Sequence, residues 1–223
     1  MRVTAVTFDA MGTLVTLEPP APRLQRSLAR RLGLTLELAD CEAGMRAEMR
    51  HYRARCTAAR DAPALAALRL ECASLLGDAL ALDVSGADLL PALTDAIAFR
   101  AYDDATPALT ALTTAGMRLA VVANWDVSLP EVLARLGLAS HFAAIVTAAS
   151  VGAAKPDARP FLVALERLGA EAGACVHVGD DPVTDVAGAQ AAGLGALLLD
   201  RSGRAPGSLP GLAALAARLE GAA

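Results

Sequence analysis

Apolar positions along this chain follow two rhythms: short unbroken runs, and longer stretches in which they recur every three or four residues. The unbroken runs predict buried strands over 3–9, 118–123, 144–147, 175–178 and 196–199. Helical spacing fills the gaps between the later runs. Thr106 and Pro107 open a helix ending at Gly116, and 128–136 reads as a helix closed by Gly137. Asp157 caps a helix reaching Leu168 with Gly169 just past its end, and 182–192 stops at Gly193. An Ala/Leu-rich helix over 208–220 completes the pattern. Strands alternating with helices of this length predict the α/β class, with a Rossmann-like, doubly wound parallel sheet.

Between the first strand and the second the rhythm is helical throughout. Gly12 and Thr13 turn the chain after the first strand, 14–17 leads away from it, and Glu18-Pro19-Pro20 reads as a linker. Helices are expected over 22–32, stopped by Gly33, over 41–60, capped by Asp40, and over 63–76, with Pro63 in the first turn and Gly77 beyond the end. A fourth runs to about residue 100, with Pro91 obscuring its start. No strand-like run occurs here. In 41–60 the arginines at 46, 50, 53 and 60 form a polar stripe opposite Met45, Met49, Tyr52 and Cys56, the pattern of a solvated face. His51, Tyr52 and Arg53 are candidates for a pocket wall, and spacing singles out none of them. The expected organisation is an α/β core domain from 1–17 and 101–223, with a helical domain, 18–100, inserted into it.

A length of 223 residues suits one α/β domain with a sizeable insertion. The net charge of -4 carries no basic footprint, so nucleic acid is not an expected partner. No stretch approaches the ~20 apolar residues of a membrane span, and the first apolar run is too short for a signal peptide, so no membrane partner is expected either. Cys41, Cys56, Cys72 and Cys175 form no CxxC pair and read as reduced core thiols, which fits a cytoplasmic protein. Nothing in the pattern speaks to oligomeric state. The basic residues are 19 arginines and a single lysine, Lys155, followed by Pro156. Retaining one compact ammonium in an otherwise all-arginine chain marks a place where a fork will not serve.

Candidate chemistry begins at Asp9, where the first strand delivers a carboxylate to the sheet edge at which α/β proteins bind ligands. The stretch Phe8-Asp9-Ala10-Met11-Gly12-Thr13-Leu14 resembles the first motif, D-x-D-G-T-[LV], of the haloacid dehalogenase (HAD) superfamily. Val121-Val122-Ala123-Asn124-Trp125-Asp126 is similar to the second, a strand ending in Ser or Thr and often followed by Asn. Lys155-Pro156 resembles the third, and Val178-Gly179-Asp180-Asp181-Pro182-Val183-Thr184-Asp185 the fourth, GDxxxxD. Each match is weak alone; four in family order and spacing, across nearly the whole chain, are specific. On this resemblance 18–100 would be a C1-type cap domain.

The resemblance implies an aspartate nucleophile, Asp9, that needs no base because it is ionised at neutral pH. It implies Mg²⁺ held by Asp9, by the main-chain carbonyl of Met11 and by Asp180, with Asp185, or alternatively Asp181, orienting water ligands. Lys155 would hold the nucleophile and a phosphoryl oxygen together. The bland alternative for the GD carboxylates is helix N-capping. Two positions depart from the family pattern. Met11 replaces the aspartate that protonates the leaving group and activates water, a function typically worth ~10²–10⁴-fold. Ala123 removes a hydroxyl donor to the phosphoryl group, which Asn124 could replace only by a shift of backbone. The implied function is a Mg²⁺-dependent phosphatase acting on a small phosphorylated metabolite, weak on poor leaving groups. Two alternatives stay open. One is a 2-haloacid dehalogenase-like enzyme, which tolerates a non-acidic residue at position 11. The other is a degenerate domain that binds a phosphorylated ligand or partner without turnover.

Overall fold

The computed structural model describes residues 2–220. In chain order its strands are β1 (Ala5–Phe8), β2 (Val15–Leu17), β3 (Phe99–Ala101), β4 (Arg118–Ala123), β5 (Ala144–Thr147), β6 (Cys175–Gly179) and β7 (Gly195–Leu198). Five of them form one sheet in the order β5-β4-β1-β6-β7, parallel throughout. Every residue of β1 is buried, as expected of a central strand covered on both faces. Phe8 pairs with Val121 of β4 on one side and Val178 of β6 on the other. The strand order therefore reverses at β1, and the C-terminal ends of β4, β1 and β6 meet at one topological switch point. The chain is an α/β protein with a Rossmann-like parallel sheet.

The helices are α1 (Pro20–Leu32), α2 (Leu38–Arg55), α3 (Ala62–Ala79), α4 (Gly86–Ala96), α5 (Ala105–Thr114), α6 (Leu129–Arg135), α7 (Ala148–Val151), α8 (Arg159–Leu168), α9 (Gly188–Ala191) and α10 (Leu215–Glu220). The described residues fall into two compact units. One is built from the segments before Leu17 and after Arg100, the other is Leu17–Arg100. In the first, Phe161, Ala164, Leu165 and Leu168 of α8 pack on Ala120, Val122 and Val146 of the sheet. The second is helical, with Leu24, Leu28, Met45, Leu76 and Leu89 fully or almost fully buried. Among the described residues no helix is long and apolar enough to cross a membrane.

The element ends differ from expectation where packing or capping outweighs a local signal. Gly77 lies inside α3 rather than beyond it, because a Cβ there would stand 2.8 Å from Leu89 Cδ1. It is a close-approach glycine, not a stop. The helix expected over 41–60 starts earlier, at Leu38 with Glu37 as its cap residue, and gives way at Cys56 to a 3₁₀ turn. Asp61 then caps α3 by accepting from the Ala64 amide at 2.8 Å. α4 runs through Pro91 and ends at Ala96, leaving 99–101 to form β3, a strand in a region expected to have none. β3 pairs with β2 in a separate two-stranded sheet. The helix expected over 208–220 narrows to a 3₁₀ turn at Leu212–Ala214 followed by α10.

Candidate active site

Asp9 follows the last residue of β1, and its amide donates to the Val178 carbonyl of β6 at 2.9 Å. Backbone pairing thus fixes where the carboxylate emerges. Gly12, with φ of +86°, turns the chain back immediately afterwards. A side chain there would collide with the Asp180 carboxylate, so the glycine permits the turn and the approach at once. Gly179, the last residue of β6, permits only the close approach of Asp185, whose carboxylate occupies the space a Cβ would fill. Together the two glycines bring carboxylate oxygens of Asp9, Asp180 and Asp185 within 4.8 Å of one another.

Lys155 stands in the middle of this cluster, 4% exposed. Its ammonium donates to Asp9 Oδ1 at 2.7 Å and to Asp185 Oδ1 at 2.6 Å. Asn124, at the end of β4, holds the lysine backbone from both sides. Its Oδ1 accepts from the Lys155 amide at 2.7 Å, and its Nδ2 donates to the Lys155 carbonyl at 2.9 Å. Asn124 therefore places the lysine, a different use from the phosphoryl contact considered in its place after Ala123. Asp185 is saturated: besides the lysine it receives the Asp181 amide on Oδ2 at 3.0 Å and faces His177 Nε2 at 3.4 Å. Asp181, the alternate to Asp185, instead accepts from the amides of Val183 at 2.8 Å and Thr184 at 2.7 Å. It caps the π-helical turn Pro182–Ala187 that leads into α9.

The electrostatics follow from burial. Desolvation raises the Asp9 pKa to about 6, with the Asp185 and Asp180 carboxylates adding to the rise and Lys155 opposing it. Burial also raises Asp180, with Asp185 contributing. Burial alone would raise Asp185, but its bonds from His177 and Lys155 outweigh that and hold it below the ordinary range. Lys155 is raised despite its desolvation, because Asp9 and Asp185 flank the ammonium. Three carboxylates around one ammonium leave a formal excess of two negative charges. That excess and that all-oxygen donor set suit a hard divalent cation, which the cluster of Asp9, Asp180 and Asp185 could hold. Met11 is half-buried, its backbone bridged to Val15. Its side chain brings no titratable group to the cluster.

Two features of the site were not anticipated. His177 lies on β6, fully buried, its Nδ1 2.9 Å from Thr7 Oγ1 of β1 and its ring edge against Phe161. Burial lowers its pKa to about 4, which keeps the imidazole neutral beneath Asp185. A lone histidine inside an otherwise apolar strand was the available signal. The second feature, Arg201 in the turn after β7, carries no sequence signal at all. His51, by contrast, pairs with Glu71 inside the helical unit at 3.4 Å.

Comparison with known proteins points to one family. Residues 3–193 match the family model described as haloacid dehalogenase-like hydrolase. A mouse protein named haloacid dehalogenase-like hydrolase domain-containing protein 3 is 30% identical over 213 residues, covering 89% of this chain and 82% of its own. A HAD phosphatase from Thermococcus onnurineus is 27% identical, with a TM-score of 0.67 over 99% of both chains. A 2-haloacid dehalogenase from Pseudomonas syringae is 26% identical, with a TM-score of 0.68 over 99% of this chain and 100% of its own. With four motifs meeting at the switch point of a parallel sheet, the chain belongs to the haloacid dehalogenase-like hydrolases.

Proposed function

We propose that the protein is a Mg²⁺-dependent phosphatase acting on a small phosphorylated metabolite through an Asp9 nucleophile. The observation that carries this is the cluster itself. Asp9 is tied to Lys155 at 2.7 Å, and its carboxylate lies within 4.8 Å of those of Asp180 and Asp185. Metal-free displacement chemistry has no need of the exposed carboxylate that Asp180 adds. Asp9, the Met11 carbonyl and Asp180 would hold the cation, which when bound neutralises phosphate charge and the nucleophile's own repulsion.

Asp9 attacks phosphorus, the bond from phosphorus to the leaving oxygen breaks, and an aspartyl-phosphate forms. Lys155 keeps the attacking carboxylate oriented and offsets charge on the phosphoryl oxygens. Asn124 keeps Lys155 in place, and Asp185 holds the ammonium from its other side. Water then cleaves the aspartyl-phosphate, releasing phosphate and restoring Asp9. Because Met11 cannot supply a proton, leaving groups that depart well as anions react, and alkyl phosphates lag. The helical segment 18–100, inserted directly after the first motif, serves as the C1-type cap from which substrate selectivity comes.

A second reading draws on Met11 and on the likeness to a 2-haloacid dehalogenase. The Asp9 carboxylate would displace halide from C2 of a 2-haloacid, giving an ester that water hydrolyses, with no proton needed by the leaving halide. Nitrophenyl phosphate hydrolysis with and without Mg²⁺, run beside chloride release from 2-chloropropionate, separates the two. Mg²⁺-dependent nitrophenolate release, with a burst and a phosphorylated Asp9 found by mass spectrometry, is the expected result. Chloride release without phosphate turnover would give the site to dehalogenation. Neither activity would leave a domain that binds without turnover.

A further inference from the structure

Arg201 lies in the turn after β7, far in sequence from the nucleophile. Its Nε donates to the Gly12 carbonyl at 3.3 Å and its Nη2 to the Thr13 carbonyl at 2.8 Å. The guanidinium is itself braced. Asp104, the residue before α5, receives Nη1 on Oδ2 and Nη2 on Oδ1, each at 3.0 Å, and the Cζ stacks 3.6 Å above the Tyr102 ring. Asp104 Oδ2 also accepts from the Leu212 amide at 2.8 Å, tying the brace to the C-terminal segment. The turn carrying Arg201 is organised by Asp200, whose carboxylate accepts the amides of Ser202, Arg204 and Ala205 at 2.7–2.9 Å.

The loop that Arg201 grips follows Asp9 directly and passes against the Asp180 carboxylate. Within itself it is closed by the Leu14 and Val15 amides on the Ala10 carbonyl and by the Gly12 amide on Val15. Those bonds fix its curl, and the Tyr102 amide on the Leu14 carbonyl at 3.0 Å anchors its far end, leaving the Gly12 and Thr13 carbonyls to Arg201. Gly12 presses against the Asp180 carboxylate so closely that no side chain fits between them. A small rotation of the Gly12 or Thr13 peptide would therefore move the backbone beside Met11 relative to Asp180. We propose that Arg201 is a positioning residue for the cation site: its fork on two consecutive carbonyls sets the loop bearing Met11 at the distance from Asp180 that a cation requires. Lysine cannot reproduce this, since one ammonium cannot satisfy two carbonyls and a bidentate carboxylate in one plane.

The inference rests on the metal reading proposed above, and its test separates the two. Mg²⁺ is titrated into the full chain and followed by thermal shift, which reads binding without turnover, for wild type, Arg201→Lys, Asp104→Asn and Asp180→Asn. Melting temperature without metal and kcat and KM on nitrophenyl phosphate are recorded in parallel. Arg201→Lys should raise the half-saturating Mg²⁺ concentration by about tenfold, the scale of losing a group that orients a ligand. Asp104→Asn, which keeps the arginine and loosens its brace, should shift it in the same direction, and it decides the matter if Arg201→Lys does not fold. An Mg²⁺ response lost in Asp180→Asn but unmoved in both brace variants overturns the inference alone, whatever happens to the metal-free melting temperature. A response that survives Asp180→Asn overturns the metal reading and the inference with it.

Discussion

Removing the ammonium of Lys155 while keeping its apolar stem, as Lys155→Met does, isolates what the charge contributes. Nζ lies 2.7 Å from Asp9 and 2.6 Å from Asp185, in a side chain 2% exposed. At an effective dielectric near 20 each contact corresponds to about 6 kcal/mol of attraction, offset by the desolvation of all three groups. The net cost of removing one member of such a buried set is about 3–5 kcal/mol. For a chain of this size that lowers the melting temperature by about 6–20 °C. The deficit should depend on pH with a definite sign. In the wild type the folded Asp9 pKa, about 6, exceeds the ordinary 3.8. The protonated carboxylate is thus favoured by folding: its contribution is complete below 3.8 and is lost as the pH rises through about 6. Without Lys155 the lowering influence on Asp9 vanishes, and the folded pKa climbs further. Urea denaturation with chelator present should therefore show a larger deficit at pH 8 than at pH 5. A deficit below about 1 kcal/mol, or one equal at both pH values, would refute a structural charge balance centred on Lys155. Lys155→Arg retains the charge and still should abolish turnover, because a planar fork cannot occupy a point-charge site.

Met11→Asp should raise turnover on alkyl phosphates by about 10²-fold while changing nitrophenyl phosphate far less, measured as kcat at saturating Mg²⁺. If wild type already hydrolyses alkyl phosphates briskly, another residue is the acid. Gly12→Ala combines a φ of +86° with a collision against Asp180, so circular dichroism should show a folded protein in which the Mg²⁺ response is gone; a normal response would mean the loop yields cheaply. In the helical unit, burial raises the pKa of Glu48, which is 5% exposed, above its ordinary 4.5. Folding there favours the protonated acid, so stability from this group is full below about 4.5 and falls as the pH rises through the higher folded value. Glu48→Gln should flatten the melting-temperature profile above pH 4.5, and an unchanged profile would exclude Glu48 as its source.

What was legible in the sequence was whatever depends on strands. An apolar run ending in a carboxylate or in Gly-Asp states its own direction, so the meeting of Asp9, Asn124 and Asp180 at the ends of β1, β4 and β6 follows once the sheet is parallel. Lys155 was legible for a compositional reason, being the sole lysine. Long-range side-chain geometry was not. Gly77 is indistinguishable from a helix stop until Leu89 of α4 is known to press against it. Arg201 is one arginine among 19, in a loop whose partner carbonyls lie 188 and 189 residues earlier. Backbone carbonyls carry no signature in a sequence, so a side chain that recognises only carbonyls leaves none either.

The methionine at position 11 can be understood from the charges around it. Asp9 is already raised to about 6 by burial and by two neighbouring carboxylates, against one ammonium. At neutral pH a group with that pKa is still roughly nine-tenths ionised, as the proposed nucleophilic role requires. A carboxylate at position 11 would add a third like charge beside Asp9 and move its pKa toward or past neutrality whenever no cation is bound. The same substitution that supplies an acid would thus make the nucleophile's ionisation conditional on the metal. Methionine gives up proton transfer and in return keeps Asp9 ionised in the metal-free state. Under the phosphatase proposed above, Met11 is therefore compatible with an Asp9 that stays ionised beside Lys155 before any cation binds.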